Sequence, residues 1–300
     1  MINKKLFVIL ILVFLSVFKI CLFGGLIVTQ GVQEKSKKNP EVISLLWKKL
    51  FATPAKGEEL LKLRDALKEA AIQVEANPEN PENIVMYGRR LAYLWRYHEA
   101  IEVFSKGVEN HPDFAMLYRH RGHRYISIRK FEKAFVDLTR ASKLNDHDFD
   151  IWYHLGLAHF LLGEFEEALS AYKNCMKAAE DDDSKIAISN WLYITLRRLG
   201  NEDDAAKILD GITEEMEVVE NRSYYNLLLF YKGRKSEIEI TALAEASDID
   251  MATIGYGIGC WYLYNESIPK ARTFFEKIVN TTMYWPAFGF IAAEAELVRM

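Results

Sequence analysis

Cysteine is scarce in this chain. Only Cys21, Cys175 and Cys260 occur in 300 residues, too few and too scattered for a disulfide framework, so free and buried thiols are expected. Neither sign of charge dominates: 38 basic side chains stand against 42 acidic ones, a formal net charge of -4. Lys4, Lys5 and Lys19 lie in the first 31 residues, and without them 38 - 3 = 35 basic groups face the same 42 acids, a mildly acidic body that carries no footprint for nucleic acid. Short catalytic motifs are missing as well. There is no phosphate loop, no Gly-x-Ser-x-Gly elbow and no His-Glu-x-x-His. Gly255-Tyr256-Gly257-Ile258-Gly259 imitates a dinucleotide fingerprint, but its third glycine comes one residue early and no strand precedes it, so close helix packing is the better account. A chain with no enzymatic activity and no cofactor is expected.

What is present is an ordinary globular balance, 50% hydrophobic and 27% charged. Residues 1–31 combine Lys4 and Lys5 with an uncharged run from Leu6 to Phe18, then Lys19, then a second apolar run from Ile20 to Val28. This layout reads as a signal peptide or a signal anchor, and places the rest of the chain outside the cytoplasm, whether periplasmic, secreted or membrane-anchored. Membrane contact is expected only through this segment. Residues 32–56 read as a tether followed by a short helix, with Ile43, Leu46, Trp47 and Leu50 on one face and Thr53-Pro54 as a break.

From Pro81 to Glu180 one pattern recurs. Gly88, Gly122 and Gly156 are 34 residues apart, as are Ala100, Ala134 and Ala168, and Phe104, Leu138 and Tyr172 each lie four places after their alanine. A 34-residue period signals a helix-turn-helix unit stacked on copies of itself. Trp152, Leu155, Gly156, Gly163, Phe165 and Ala168 fall at six family positions, and the stretch resembles a tetratricopeptide-repeat (TPR) array. It looks like exported bacterial members of that family whose role is unassigned. The resemblance implies an all-α, right-handed solenoid of TPR hairpins with N- and C-terminal capping helices. The array covers residues 57–217, an incomplete leading repeat plus four repeats, and degenerate TPR-like repeats with a cap follow over 218–300.

After Asp183 the phase slips, since Ala205 follows Ala168 by 37 residues, which suggests about three residues inserted in the loop between units. The acidic run Glu180-Asp181-Asp182-Asp183 has no calcium-loop spacing and reads as a solvated turn. Pro286 is expected to open a closing helix with Glu294, Glu296 and Arg299 toward water.

The resemblance also implies a concave groove lined by first helices, which in this family accepts peptides or partner segments. Carried onto this chain, its slots hold Arg89, Tyr93, Arg119, His120, His123, Tyr153, His154, Asn190, Trp191 and Arg197, with Arg198 beside them. Such a basic and aromatic stripe suits an acidic or C-terminal peptide, because a guanidinium forks onto carboxylates and stacks on rings. Val85 and Arg89 occupy slots where chaperone-tail binders of the family carry clamp residues, so that clamp is not reproduced. Three readings follow: a scaffold that binds a protein or peptide in the groove, an assembly component that uses its convex face or ends, and a metal protein or hydrolase built on His120, His123 and His154. Ring slots on neighbouring repeats are spaced like helix axes, about 8–10 Å, which disfavours the last, and no metal site is expected.

Overall fold

The computed structural model describes residues 39–300 apart from Pro54; the leader, its possible cleavage and Cys21 lie outside the described residues. The chain opens with a hairpin, β1 (Val42–Ile43) paired antiparallel with β2 (Lys49–Leu50). The short helix expected here does not form. Apolar spacing of three and four fits a helix, but Trp47 turns with φ 62°, and Ser44 Oγ accepts from the amides of Leu46 and Lys48 at 3.1 Å each, closing a tight turn.

Helices then follow in pairs: α1 (Gly57–Ala76), α2 (Pro81–Tyr93) with α3 (Tyr97–Asn110), α4 (Ala115–Ser127) with α5 (Phe131–Leu144), and α6 (Phe149–Leu162) with α7 (Phe165–Lys177). Local chemistry sets these limits. Asn80 and Asp148 accept the amides of Glu82 and Ile151 at 2.9 and 2.8 Å at the starts of α2 and α6, Pro81 occupies a first-turn position that needs no amide donor, and Gly163 ends α6 with φ 87°. The all-α solenoid is therefore present, with hairpin following hairpin at the expected period.

The recurrent glycines sit where the two helices of a hairpin touch. A β-carbon at Gly88 or Gly156 would run into the ring of Phe104 or Tyr172, sixteen residues further on, and one at Gly122 would lie 2.7 Å from Leu138. Gly259 meets Phe275 in the same way in the last hairpin. Gly156→Ala is thus expected to lower stability by about 1–3 kcal/mol, because the buried ring must leave its place. Urea unfolding checks this, with Gly211→Ala, whose added carbon meets nothing closer than 3.5 Å, as the quiet comparison.

The fourth pair is α8 (Asp182–Arg198) with α9 (Glu202–Asp210). Here the inserted residues are not in the loop: 178–181 is as long as the preceding inter-repeat loop, 145–148, and α8 has 17 residues against 14 in α6. The extra length is most of a turn at the start of α8, and the acidic run supplies it. Asp181 caps the helix by accepting from Ser184 at 2.7 Å, Asp182 accepts from the amide of Glu217, and Asp183 accepts from the amides of Val219, Glu220 and Asn221 at 2.9, 3.0 and 2.8 Å. The run is therefore an anchor for the 211–221 loop rather than a solvated turn.

The remaining elements are α10 (Arg222–Tyr231), α11 (Glu237–Ala244), α12 (Asp248–Asp250) running through a π-helical turn (Met251–Gly255) into α13 (Tyr256–Tyr264), α14 (Ile268–Thr281) and α15 (Phe288–Arg299). Close packing explains the glycine-rich stretch, since a carbon at Gly257 would lie 2.5 Å from Leu227. Cys175 and Cys260 are free and buried.

The closing helix forms two residues after Pro286, but Glu294 and Glu296 do not face water; each is 1% exposed. All eight residues from Gly289 to Glu296 are buried. Such a helix is enclosed on every side and belongs to a core. Gly289 rests directly on the carbonyl of Ala252 in the π-helical turn, an approach only glycine permits.

Candidate functional site

The residues that face α15 include several on the first helices of the repeats or at their ends. His123 and His154, on α4 and α6, sit 4.3 Å apart between ring centroids, and Phe288 at the start of α15 lies 5.3 and 5.6 Å from them. Tyr153 lies 6.1 Å from the same ring. Arg198 at the end of α8 reaches Glu296 at 3.1 Å, and Arg299 joins the same carboxylate at 2.9 Å.

The other groove candidates divide. Arg119 is buried, pairs with Asp150 at 2.5 Å and approaches His120 Nδ1 at 2.8 Å, while His120 stacks on Phe104. Asn190 and Trp191 are in the core between helices: Trp191 packs on Phe160 and Tyr172 and donates its indole N–H to Tyr153 Oη at 2.7 Å. Tyr153 and His154, at the same two slots one repeat earlier, are buried as well, at 7% and 3% exposure. Arg197 is held by Tyr193 and Glu202 at 3.3 and 3.5 Å. Arg89 donates to Tyr93 Oη at 3.0 Å, and Tyr93, 43% exposed, is the most open member of the set.

Two residues that hold this arrangement were not picked out by the family slots. Trp95 and Arg129 end α2 and α4 with φ 60° and 61°, in positions that Gly163 fills one repeat later. A non-glycine residue there costs about 1–2 kcal/mol of backbone strain. Both spend it on the segment leading into α15: Trp95 meets Trp285 edge-on at 5.1 Å, and Arg129 donates to the carbonyl of Trp285 at 3.0 Å and to Glu294 at 2.9 Å. The readable signal was a tryptophan and an arginine in the slot whose next copy is glycine.

Burial governs the electrostatics. Desolvation, with Arg119 and Arg124 nearby, holds His120, His123 and His154 well below the usual imidazole range, so these rings are neutral. His154 donates Nδ1–H to the carbonyl of Asp150. Burial likewise lowers Arg124 to about 10 and pushes the Cys260 thiol up to about 12. Among the described residues no group of His, Cys, Asp or Glu is arranged to hold a metal ion, and no helix is long and apolar enough to cross a membrane. On the outside, Asp148, Phe149, Asp150, Asp181, Asp183 and Ser184 line an acidic cleft of about 570 Å³ between the starts of α6 and α8.

Comparison with known proteins places these features in a family. Residues 149–182 match the model of the tetratricopeptide repeat. The chain is 27% identical over 146 residues to human tetratricopeptide repeat protein 13, covering 48% of this chain and 17% of that protein. It is 38% identical over 101 residues to heat shock protein STI1 of Saccharomyces cerevisiae, covering 32% and 16%. Among solved structures it is similar to YrrB, described as a TPR protein with an unusual peptide-binding site, at 16% identity and a TM-score of 0.46 over 77% of this chain and all of that one. The chain spans about a sixth of the length of these curated relatives. The matched repeat at 149–182, with hairpins of the same period and glycine contacts before it, gives the chain repeats of the tetratricopeptide type.

Proposed function

We propose that this protein is a non-enzymatic interaction scaffold that meets its partners with its outer surface and ends, its concave lining serving as core for α15. Tetratricopeptide-repeat proteins generally mediate protein–protein contacts, and that much comes with the family. The observation that supports the choice of surface is the unbroken burial of Gly289 to Glu296 against the repeats. A free peptide entering the groove would have to displace Phe290 and Ile291, each worth about 1.5–3 kcal/mol by burial alone, and would leave the Arg129 guanidinium unpaired. The expected acidic ligand of the groove thus has a counterpart within the chain, Glu294 and Glu296 on α15. The signal-like leader supports a position outside the cytoplasm.

A fluorescent peptide of residues 286–300 titrated into the full chain tests this reading. No saturable rise in anisotropy is expected below millimolar concentration. Saturable binding at micromolar peptide would mean that α15 exchanges readily and would restore the concave groove as the partner site.

A further inference from the structure

The β1–β2 hairpin and the 279–285 segment meet at one edge of the molecule. Trp285 donates its indole N–H to the carbonyl of Phe51 at 2.8 Å, and Lys48 Nζ donates to the carbonyl of Val279 at 3.3 Å and to Asn280. Large apolar side chains cluster on the outside of this seam. Val42 is buried while Ile43 is 45% exposed, as strand alternation requires, and Phe51 is 43%, Met283 62% and Tyr284 42% exposed. Trp47 at the hairpin tip is 87% exposed and carries a left-handed backbone. A bulky residue in that conformation is held at a cost, and here no burial within the chain offsets it.

We propose that this seam is a lipid-contacting surface that seats the repeat array on an anionic bilayer. Three observations select lipid over another occupant. The apolar run of the leader ends at Val28, fourteen residues before Val42, so a leader that serves as the signal anchor would be separated from the hairpin by at most about 50 Å of extended chain. Lysines flank the path, with Lys35, Lys37 and Lys38 in the tether and Lys49 opposite Ile43 on the outer face of the hairpin, in a body that is otherwise mildly acidic. Tryptophan, tyrosine and lysine together are the side chains that settle at a membrane interface, where the ring is buried and the polar tip stays wet.

The test uses the full chain reconstituted in vesicles of phosphatidylcholine and phosphatidylglycerol with brominated acyl chains. Of six tryptophans, Trp47 is the one this surface offers to lipid. Bromination is expected to quench a blue-shifted part of the emission in the wild type and in Phe51→Ala to a lesser extent, and to quench nothing in Trp47→Phe. Lys49→Glu is expected to reduce the quenching in anionic vesicles and leave it unchanged in pure phosphatidylcholine. Vesicle-bound chain whose tryptophan emission ignores bromination overturns the proposal, as does quenching that Trp47→Phe retains. Protection of Trp47 through a dimer or a soluble protein partner, seen as blue-shifted emission without quenching, overturns it equally. Because Trp47 is exposed, its replacement leaves the fold intact, and an unchanged near-ultraviolet circular dichroism spectrum verifies that. Failure here leaves the scaffold reading untouched, since peptide exchange in the groove is read in a separate assay.

Discussion

Replacing Glu294 by alanine is expected to destabilise the folded chain by about 3–5 kcal/mol, the usual cost of leaving one member of a buried ion pair without the other. The side chains of Arg129 and Glu294 are 2% and 1% exposed and 2.9 Å apart. Once the carboxylate is gone, the guanidinium keeps only the carbonyls of Ser127 and Trp285. For a chain of this size the midpoint of thermal unfolding should fall by roughly 10 °C. The double variant Arg129→Met with Glu294→Leu removes both charges and should lie close to the wild type, since a well-packed apolar pair replaces a buried ionic one at little or no net cost. A loss below 1 kcal/mol in the single variant, or a double variant worse than the single one, would show that this pair does not hold α15 in place.

Acid is the second large perturbation. In the folded chain His120, His123 and His154 resist protonation because burial and the neighbouring arginines Arg119 and Arg124 disfavour a further positive charge; Phe104 and Phe288 cover the rings and Asp150 receives His154 through its carbonyl alone. Unfolded, these rings titrate near 6.5. The folded state therefore binds fewer protons than the unfolded one below that pH, and stability present above it is lost as pH falls. Each ring removes about 1.4 kcal/mol per pH unit. His120 and His154, the two most enclosed, should together cost on the order of 5 kcal/mol at pH 4.5 relative to neutrality. Urea titrations at a series of pH values measure the slope. His154→Asn, whose amide can still donate to Asp150, should flatten it by about one ring's share. A wild-type slope unaffected by that change would mean that His154 is free to protonate while folded.

The sequence announced the repeats far better than it announced what fills them. Gly88, Gly122 and Gly156 are legible because close helix contact leaves no alternative residue, and the contact recurs at a fixed period. The helices that carry Arg119, His120, His123, Tyr153 and His154 were legible too, since these residues lie on α4 and α6 where the repeat pattern puts them. What covers them was not. Glu294 and Glu296 look like the watery side of a terminal helix in one dimension, and only their pairing with Arg129 and Arg198, 165 and 98 residues away, makes them core residues. Trp191 is buried by contacts with the preceding repeat, Phe160, Tyr172 and the hydroxyl of Tyr153, which slot counting along one helix does not reveal. The hairpin at 42–50 is hidden in the sequence because Ile43, Leu46 and Leu50 satisfy a helical spacing by accident in a segment too short for periodicity to discriminate.

Solenoids ordinarily behave as one-dimensional stacks, in which a terminal unit can fray without disturbing units further along. The bonds of Lys48 to Asn280 and of Trp285 to Phe51 remove that freedom by tying the first described residues to the last hairpin across more than two hundred positions. Melting at one end then exposes the other. Such a molecule should come apart as a single cooperative unit, and it should refold slowly, because its final contacts have to wait until almost the whole chain is in place.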